Sequence, residues 1–207
     1  MIFAFDLDGT ITLDETLPLM ARELGLEAEM TRLTDATLSG EIDFRESFRM
    51  RYDMLSAIPV RRIQEIMRRV RLDEKISSFI RRNKTRCVVV TGNLDAWVEP
   101  IRKKLSCRFY TSTSAHDDTG RLVLLDVLDK SRAIREIKEK TGEKIVAVGE
   151  SFNDIPMFEE ADIAIAYGGV HPPVAEAERL ADYTVSSGDE LCRLLASIAG
   201  VSAHPTH

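Results

Sequence analysis

Little in this chain points toward a membrane, a disulfide framework or nucleic acid. Its 207 residues include only three cysteines, Cys87, Cys107 and Cys192, far apart and with no C-x-x-C. An odd number amid apolar neighbours argues for reduced, buried thiols and a cytoplasmic protein. No apolar run approaches the roughly 20 residues of a bilayer span, so no membrane partner is expected. The acidic pair Asp6 and Asp8 falls where a secretory leader would keep its apolar stretch, which argues against secretion. Nor is there a basic excess. The net charge is −6, no electrostatic footprint for nucleic acid. The pairs Arg61-Arg62, Arg68-Arg69, Arg81-Arg82 and Lys103-Lys104 read as solvated helix faces. Internal repeats and low-complexity segments are absent. What remains is an ordinary globular composition, 44% hydrophobic, at a length that fits one α/β core with a modest insertion.

The informative stretch is the first ten residues. Met1-Ile2-Phe3-Ala4-Phe5 is uncharged and apolar, the pattern of a strand buried on both faces. It runs into Asp6-Leu7-Asp8-Gly9-Thr10, not into the G-x-G-x-x-G of a dinucleotide fold. In an open α/β sheet, ligands bind at the carboxyl ends of the strands. Residues two apart on a strand share a side, so the two carboxylates can share a metal ion or divide into nucleophile and acid/base. Gly9 permits a sharp turn that exposes N–H groups to an anion.

Along the chain, helical periodicity predicts helices over residues 14–26, 27–38, from near the N-cap Asp43 to about residue 55, and after Pro59. Four helices in succession without a strand cannot all pack within a sheet's layer. They read as a helical cap over residues 13–76, set on a core of residues 1–12 and 77–201. Strands are expected at 86–91, 107–112, 144–149 and 162–166, with an antiparallel return at 121–125 after the turn Asp117-Asp118-Thr119-Gly120. The pair Gly92-Asn93 is expected to turn the second of the parallel strands into a helix through Leu105, with Pro100 kinking it. A short strand at 183–185 lies between two closing helices. Residues 202–207 read as a disordered tail.

Later strand ends carry polar groups too. Thr91-Gly92 offers a hydroxyl and N–H groups at an expected helix start, a phosphate-binding arrangement. Lys130 opens a helix, where a cation opposes the helix dipole. A placement that costs helix stability suggests another task, such as neutralising a nucleophile and a phosphoryl group. Gly149-Glu150-Ser151-Phe152-Asn153-Asp154 sets two carboxylates one helical turn apart, suited to a divalent cation with oxygen ligands.

In this order, the D-x-D-x-T of Asp6 to Thr10, Thr91-Gly92, Lys130 and the acidic strand end with Asn153-Asp154 resemble the haloacid dehalogenase superfamily. The resemblance implies a Rossmann-like doubly wound parallel sheet with a small helical cap, and a Mg²⁺-dependent phosphatase. Asp6 would be the nucleophile and Asp8 the general acid/base, since superfamily members that cleave carbon–halogen bonds usually lack the second aspartate. Gly9, Thr10, Thr91, Gly92 and Asn153 would surround the phosphoryl group with Lys130. Asp6, Glu150, Asp154 and the main chain of Asp8 would hold the metal. The resemblance extends to the phosphoserine phosphatases through Asp14-Glu15-Thr16-Leu17 and Gly40-Glu41-Ile42-Asp43-Phe44 followed by Arg49 and Arg51. It implies that Glu15 binds an ammonium, Arg51 a carboxylate, and that Phe44 shields the site. Phe44 and Arg51 are seven residues apart and so share a helix face.

Two departures stand out. Glu150 replaces an aspartate of the family's fourth motif, and the added methylene moves the carboxylate by about a C–C bond length. Asn93 stands where the second motif usually has glycine, and Phe152 where residues are usually small. The leading expectation is a small-molecule phosphomonoester hydrolase, monomeric or homodimeric, with phosphoserine as substrate. A phosphotransferase, a sugar- or cofactor-phosphate phosphatase, and a phosphoester-binding protein with a weakened metal site stay open beside it.

Overall fold

The computed structural model describes residues 1–200, so the tail expected at 202–207 lies outside the described residues. The first strand, β1 (Ile2–Phe5), is buried along its whole length. Phe3 and Phe5 pack into one core cluster, and Ile2 and Ala4 into another on the opposite side. This period-two split is why the opening run reads as continuously apolar.

Seven strands follow the order β4-β3-β2-β1-β5-β6-β7. They are β2 (Cys87–Leu94), β3 (Arg108–His116), β4 (Leu122–Asp126), β5 (Ile145–Gly149), β6 (Ile163–Tyr167) and β7 (Tyr183–Val185) beside β1. Only the β3–β4 pair is antiparallel, closed by the expected turn, where Gly120 takes φ +78°. The chain builds outward from β1 on one side and then returns to place β5 on the other. That makes β1 the switch point, and its carboxyl end opens into the crevice where such sheets bind ligands.

Between β1 and β2 run α1 (Thr16–Ala21), α2 (Glu27–Leu38), α3 (Phe44–Leu55), α4 (Val60–Arg69) and α5 (Glu74–Arg82). Asp43 caps α3, its carboxylate accepting from Glu46 N at 3.1 Å. The apolar stripe of α3 packs on the lone tryptophan: Phe48 and Tyr52 lie 6.3 and 6.1 Å from the Trp97 ring. The chain enters and leaves the helical segment side by side. Thr12 and Leu72 form an antiparallel bridge, and Asp73 N donates to Ile11 O at 2.8 Å.

The second strand corrects one expectation. Gly92-Asn93 does not turn into a helix; β2 runs on to Leu94, and α6 (Asp95–Leu105) begins only there. Thr91 and Gly92 therefore lie inside the strand's end and not at a helix N-terminus. Tertiary contacts hold this extension: after a register shift Leu94 pairs with Ser112, whose hydroxyl donates to Gly92 O at 2.6 Å.

Pro100 sits within α6, which continues through it. Proline has no N–H for the carbonyl four residues back. That carbonyl, Ala96 O, instead accepts from the Gln64 side chain of α4 at 2.8 Å. Gln64→Ala is expected to cost about 1 kcal/mol in urea denaturation, and the loss should shrink in a Pro100→Ala background, where the helix can supply its own donor. The remaining helices are α7 (Lys130–Thr141), α8 (Ile155–Glu160), α9 (Ala175–Leu180) and α10 (Gly188–Ile198).

Candidate active site

The last ladder bond of β1 is Asp6 N to Val148 O, 2.9 Å, which delivers the Asp6 side chain to the carboxyl rim. The chain then turns tightly, with Gly9 at φ +75°. A Cβ on Gly9 would also stand 2.7 Å from Glu150 Oε1, so glycine is required here for backbone and for space.

Lys130 reaches back from the first position of α7. Its Nζ donates to Asp6 Oδ1 at 2.5 Å and to Asp154 Oδ1 at 2.6 Å, and all three groups are buried. The other oxygen of Asp154 accepts from Glu150 N, Ser151 N and Ser151 Oγ at 2.9, 2.9 and 3.0 Å. To make these bonds the carboxylate folds over the end of β5. A Cβ on Gly149 would lie 2.4 Å from Asp154 Cγ, which explains the strand's final glycine. Glu150 Oε2 accepts from Thr10 Oγ1 at 2.7 Å.

Ligand oxygens of Asp6, Glu150 and Asp154 all lie within 4.8 Å of one another. One ammonium faces three buried carboxylates. Burial pushes Asp6 well above the ordinary carboxylate range, against the pull of Lys130 and with the charges of Asp154 and Asp8 adding to it. Burial and then the neighbouring Asp154 and Asp6 raise Glu150 in the same way. Burial alone would lower the Lys130 ammonium, but Asp154 and Asp6 outweigh it and hold it charged. An excess of buried carboxylate oxygens over cationic charge fits a divalent cation with oxygen ligands. The longer Glu150 side chain is accommodated within the cluster. The Asp8 carboxylate lies outside it: Oδ1 accepts from Thr16 N and Oγ1 at 2.9 and 2.5 Å, and Oδ2 from Asn93 Nδ2 at 2.8 Å.

A pocket opens on these groups. Asp6, Asp8, Thr91, Gly92, Glu150 and Asn153 line it together with Glu15, Phe44 and Arg51. Gly9, Thr10, Lys130 and Asp154 stand behind that lining. Arg51 is buried, with its Nε on Ser47 O at 3.3 Å and its Nη2 without a partner. Burial brings its guanidinium down to about 10, against the opposing charges of Asp8 and Glu15. Burial raises Glu15, whose Oε1 has no hydrogen-bond partner and lies 3.5 Å from His171 Nε2. Phe44 presses on the end of β2: a Cβ on Gly92 would come 1.9 Å from Phe44 Cζ. Gly92→Ala is therefore expected to displace the ring, destabilise by about 1–3 kcal/mol in urea denaturation, and raise KM, because Phe44 is a pocket wall.

Sequence reasoning did not find His171, Thr16, Thr34 or Ser151 as site residues. His171 lies in a Gly-Pro-rich loop after β6, with no periodicity or motif to mark it. Thr16 and Ser151 stand within the motifs Asp14-Glu15-Thr16-Leu17 and Gly149 to Asp154, where neither is given a role of its own. Thr34 reads as one polar position on α2.

The family model for haloacid dehalogenase-like hydrolases matches residues 3–159. A phosphoserine phosphatase of Methanocaldococcus jannaschii is 32% identical over 179 residues, covering 80% of this chain and 84% of that protein. A phosphoserine phosphatase of Archaeoglobus fulgidus is 29% identical over 178 residues, 80% of this chain, and the match spans about half, 52%, of that longer relative. A solved phospho-aspartyl intermediate analogue of phosphoserine phosphatase superposes with a TM-score of 0.77 at 26% identity, covering 93% of this chain and 97% of that one. With the family's motifs assembled at the carboxyl rim of a matching sheet, this chain belongs to the haloacid dehalogenase-like hydrolases.

Proposed function

We propose that this chain hydrolyses small phosphomonoesters, with phosphoserine its preferred substrate, through an aspartyl-phosphate on Asp6. The observation that carries the substrate is a pair of opposite charges lining the same pocket as Asp6: Arg51 Nη2, buried without a hydrogen-bond partner, and Glu15 Oε1, also buried, with His171 Nε2 no nearer than 3.5 Å. An amino acid's ammonium and carboxylate match them.

In the first step an Asp6 carboxylate oxygen attacks phosphorus. The bond from phosphorus to the alcohol oxygen breaks, and Asp8 protonates that oxygen. In the second, Asp8 takes a proton from water, the water oxygen attacks phosphorus, and the bond from phosphorus to the Asp6 oxygen breaks with its electron pair returning to the carboxylate, freeing Asp6 and phosphate. Lys130 fixes Asp6 and balances its charge throughout, while Thr91, Asn153 and the Gly9–Thr10 turn orient the phosphoryl oxygens. Asp6, Glu150 and Asp154 are the residues that would hold Mg²⁺, with the main chain of Asp8. When bound, the ion supplies Lewis-acid stabilisation of phosphoryl charge. The helical segment, residues 13–76, acts as a cap that shields the site from bulk solvent and admits the water used in the second step. No described helix is long and apolar enough to cross a membrane. The three unpaired thiols support a cytoplasmic setting.

The test is kcat/KM for phosphoserine, phosphoethanolamine and glycerol phosphate, with and without Mg²⁺, on the wild type, Glu15→Gln and Arg51→Lys. A lysine cannot copy the two-bond pairing of guanidinium with carboxylate. Phosphoserine is expected to lead by about a hundredfold or more, and each variant to narrow its gap by about tenfold. A wild type faster on sugar phosphates, or variants that keep every ratio, would remove phosphoserine and leave the phosphatase.

A further inference from the structure

Among the described residues, five buried side-chain polar atoms lack a hydrogen-bond partner, and four of them belong to residues lining the one pocket: Glu15, Thr34, Arg51 and Asn93. Asn93 differs from the others because its second amide atom is fully engaged. Its Nδ2 lies 2.8 Å from Asp8 Oδ2 and 2.8 Å from Thr16 Oγ1, and Thr16 in turn donates to Asp8 Oδ1. The main chain of Asn93 is also held, its N–H donating to Thr91 Oγ1 at 3.1 Å. Leaving a buried amide oxygen bare is costly, so what the amide supplies at this point of β2 is its pair of Nδ2 hydrogen bonds.

We propose that Asn93 is a positioning residue for the proton transfer, resting on the reading of Asp8 as general acid. Thr16 supplies two donors to Asp8 Oδ1, which occupies that oxygen. Oδ2 receives one hydrogen bond, from Asn93, and keeps a free lone pair. Oδ2 is thus the oxygen that carries the transferable proton, and the amide fixes the rotation of the carboxyl group about its own axis. The amide's orientation is set by this network: reversed, it would place a carbonyl against the carboxylate. In the reaction the O–H bond at Asp8 Oδ2 breaks as the leaving alcohol gains the proton, and the P–O electron pair leaves with that oxygen. Asn93 touches neither reacting atom and acts through Asp8.

The experiment compares glycerol phosphate, whose alkoxide needs a proton to leave, with p-nitrophenyl phosphate, whose phenolate does not. Neither has an ammonium, so any contact of Asn93 Oδ1 with one stays out of the comparison. The readout is kcat/KM, which reports the transfer to Asp6. Asn93→Ala is expected to lower the glycerol phosphate value about tenfold to a hundredfold, and the p-nitrophenyl phosphate value by less than about threefold. In an Asp8→Asn background the same change should cost less than about threefold on either ester. Asn93→Gly serves as a second variant should Asn93→Ala not fold, with thermal melting as the check. Equal losses on both esters, or a full loss persisting without Asp8, would overturn the proposal. If the wild type prefers another alkyl ester to phosphoserine, the proposed substrate fails, and the alkyl–aryl contrast read on that ester still decides Asn93.

Discussion

Asp6→Asn is expected to lower turnover of every phosphomonoester by a factor on the order of 10⁴ while leaving the fold as stable as the wild type, or more so. The activity loss follows from chemistry. An amide is a poor nucleophile towards phosphorus and a weaker ligand for a divalent cation, so one change removes both roles. The stability result follows from the environment. Asp6 is buried beside two further carboxylates of the cluster, and burial makes its carboxyl group harder to ionise in the folded protein than in the unfolded chain, against the pull of Lys130. A carboxyl group whose folded pKa is raised stabilises the fold while protonated. That contribution is lost as pH rises through the raised value. At neutral pH, without metal, the charged form is therefore a burden that a neutral amide relieves, and Lys130 keeps Asp154 as a partner. Thermal melting with a chelator present, paired with initial rates, reads both halves. Beryllium fluoride should modify Asp6 alone in the wild type. An adduct on another residue, or full activity in Asp6→Asn, would end the nucleophile assignment.

Lys130→Met should behave in the opposite way, losing activity and stability together. Its ammonium is the cation among the carboxylates of Asp6, Glu150 and Asp154, and its side chain is 2% exposed. Methionine fills similar volume without charge, so the change isolates electrostatics. Removing one member of a buried ion cluster leaves uncompensated charge, at a cost of about 3–5 kcal/mol. Mg²⁺ should restore part of that loss, because it binds the folded cluster in preference to the unfolded chain. Turnover should fall about a thousandfold on all esters alike, because Lys130 serves the phosphoryl group common to them. Urea denaturation with and without Mg²⁺ and the three-ester panel are the measurements. A loss confined to phosphoserine would move Lys130 into the specificity pocket.

Local physical chemistry made much of this protein readable from its sequence. The uncharged run at β1 has to be buried on both faces, so it forms a central strand. Asp43 is an N-cap because its carboxylate meets an N–H three residues on, and Gly25 ends the first helical stretch because it accepts φ +69°. The catalytic candidates were visible as polar residues at strand ends, a pattern in which position along the strand carries the meaning. The relations between distant segments were not visible. Asn93 stays in β2 because Ser112 and Phe44 hold the strand's extension, and it reaches Asp8 across 85 positions of sequence. Pro100 does not interrupt α6, and the carbonyl it leaves free finds Gln64 on another helix. His171 meets Glu15 only because the loop after β6 passes the start of α1. Periodicity and capping are settled within a few residues and so are written locally. Which buried polar atom finds a partner, and which is left for a ligand, depends on side chains that only the tertiary structure brings within reach.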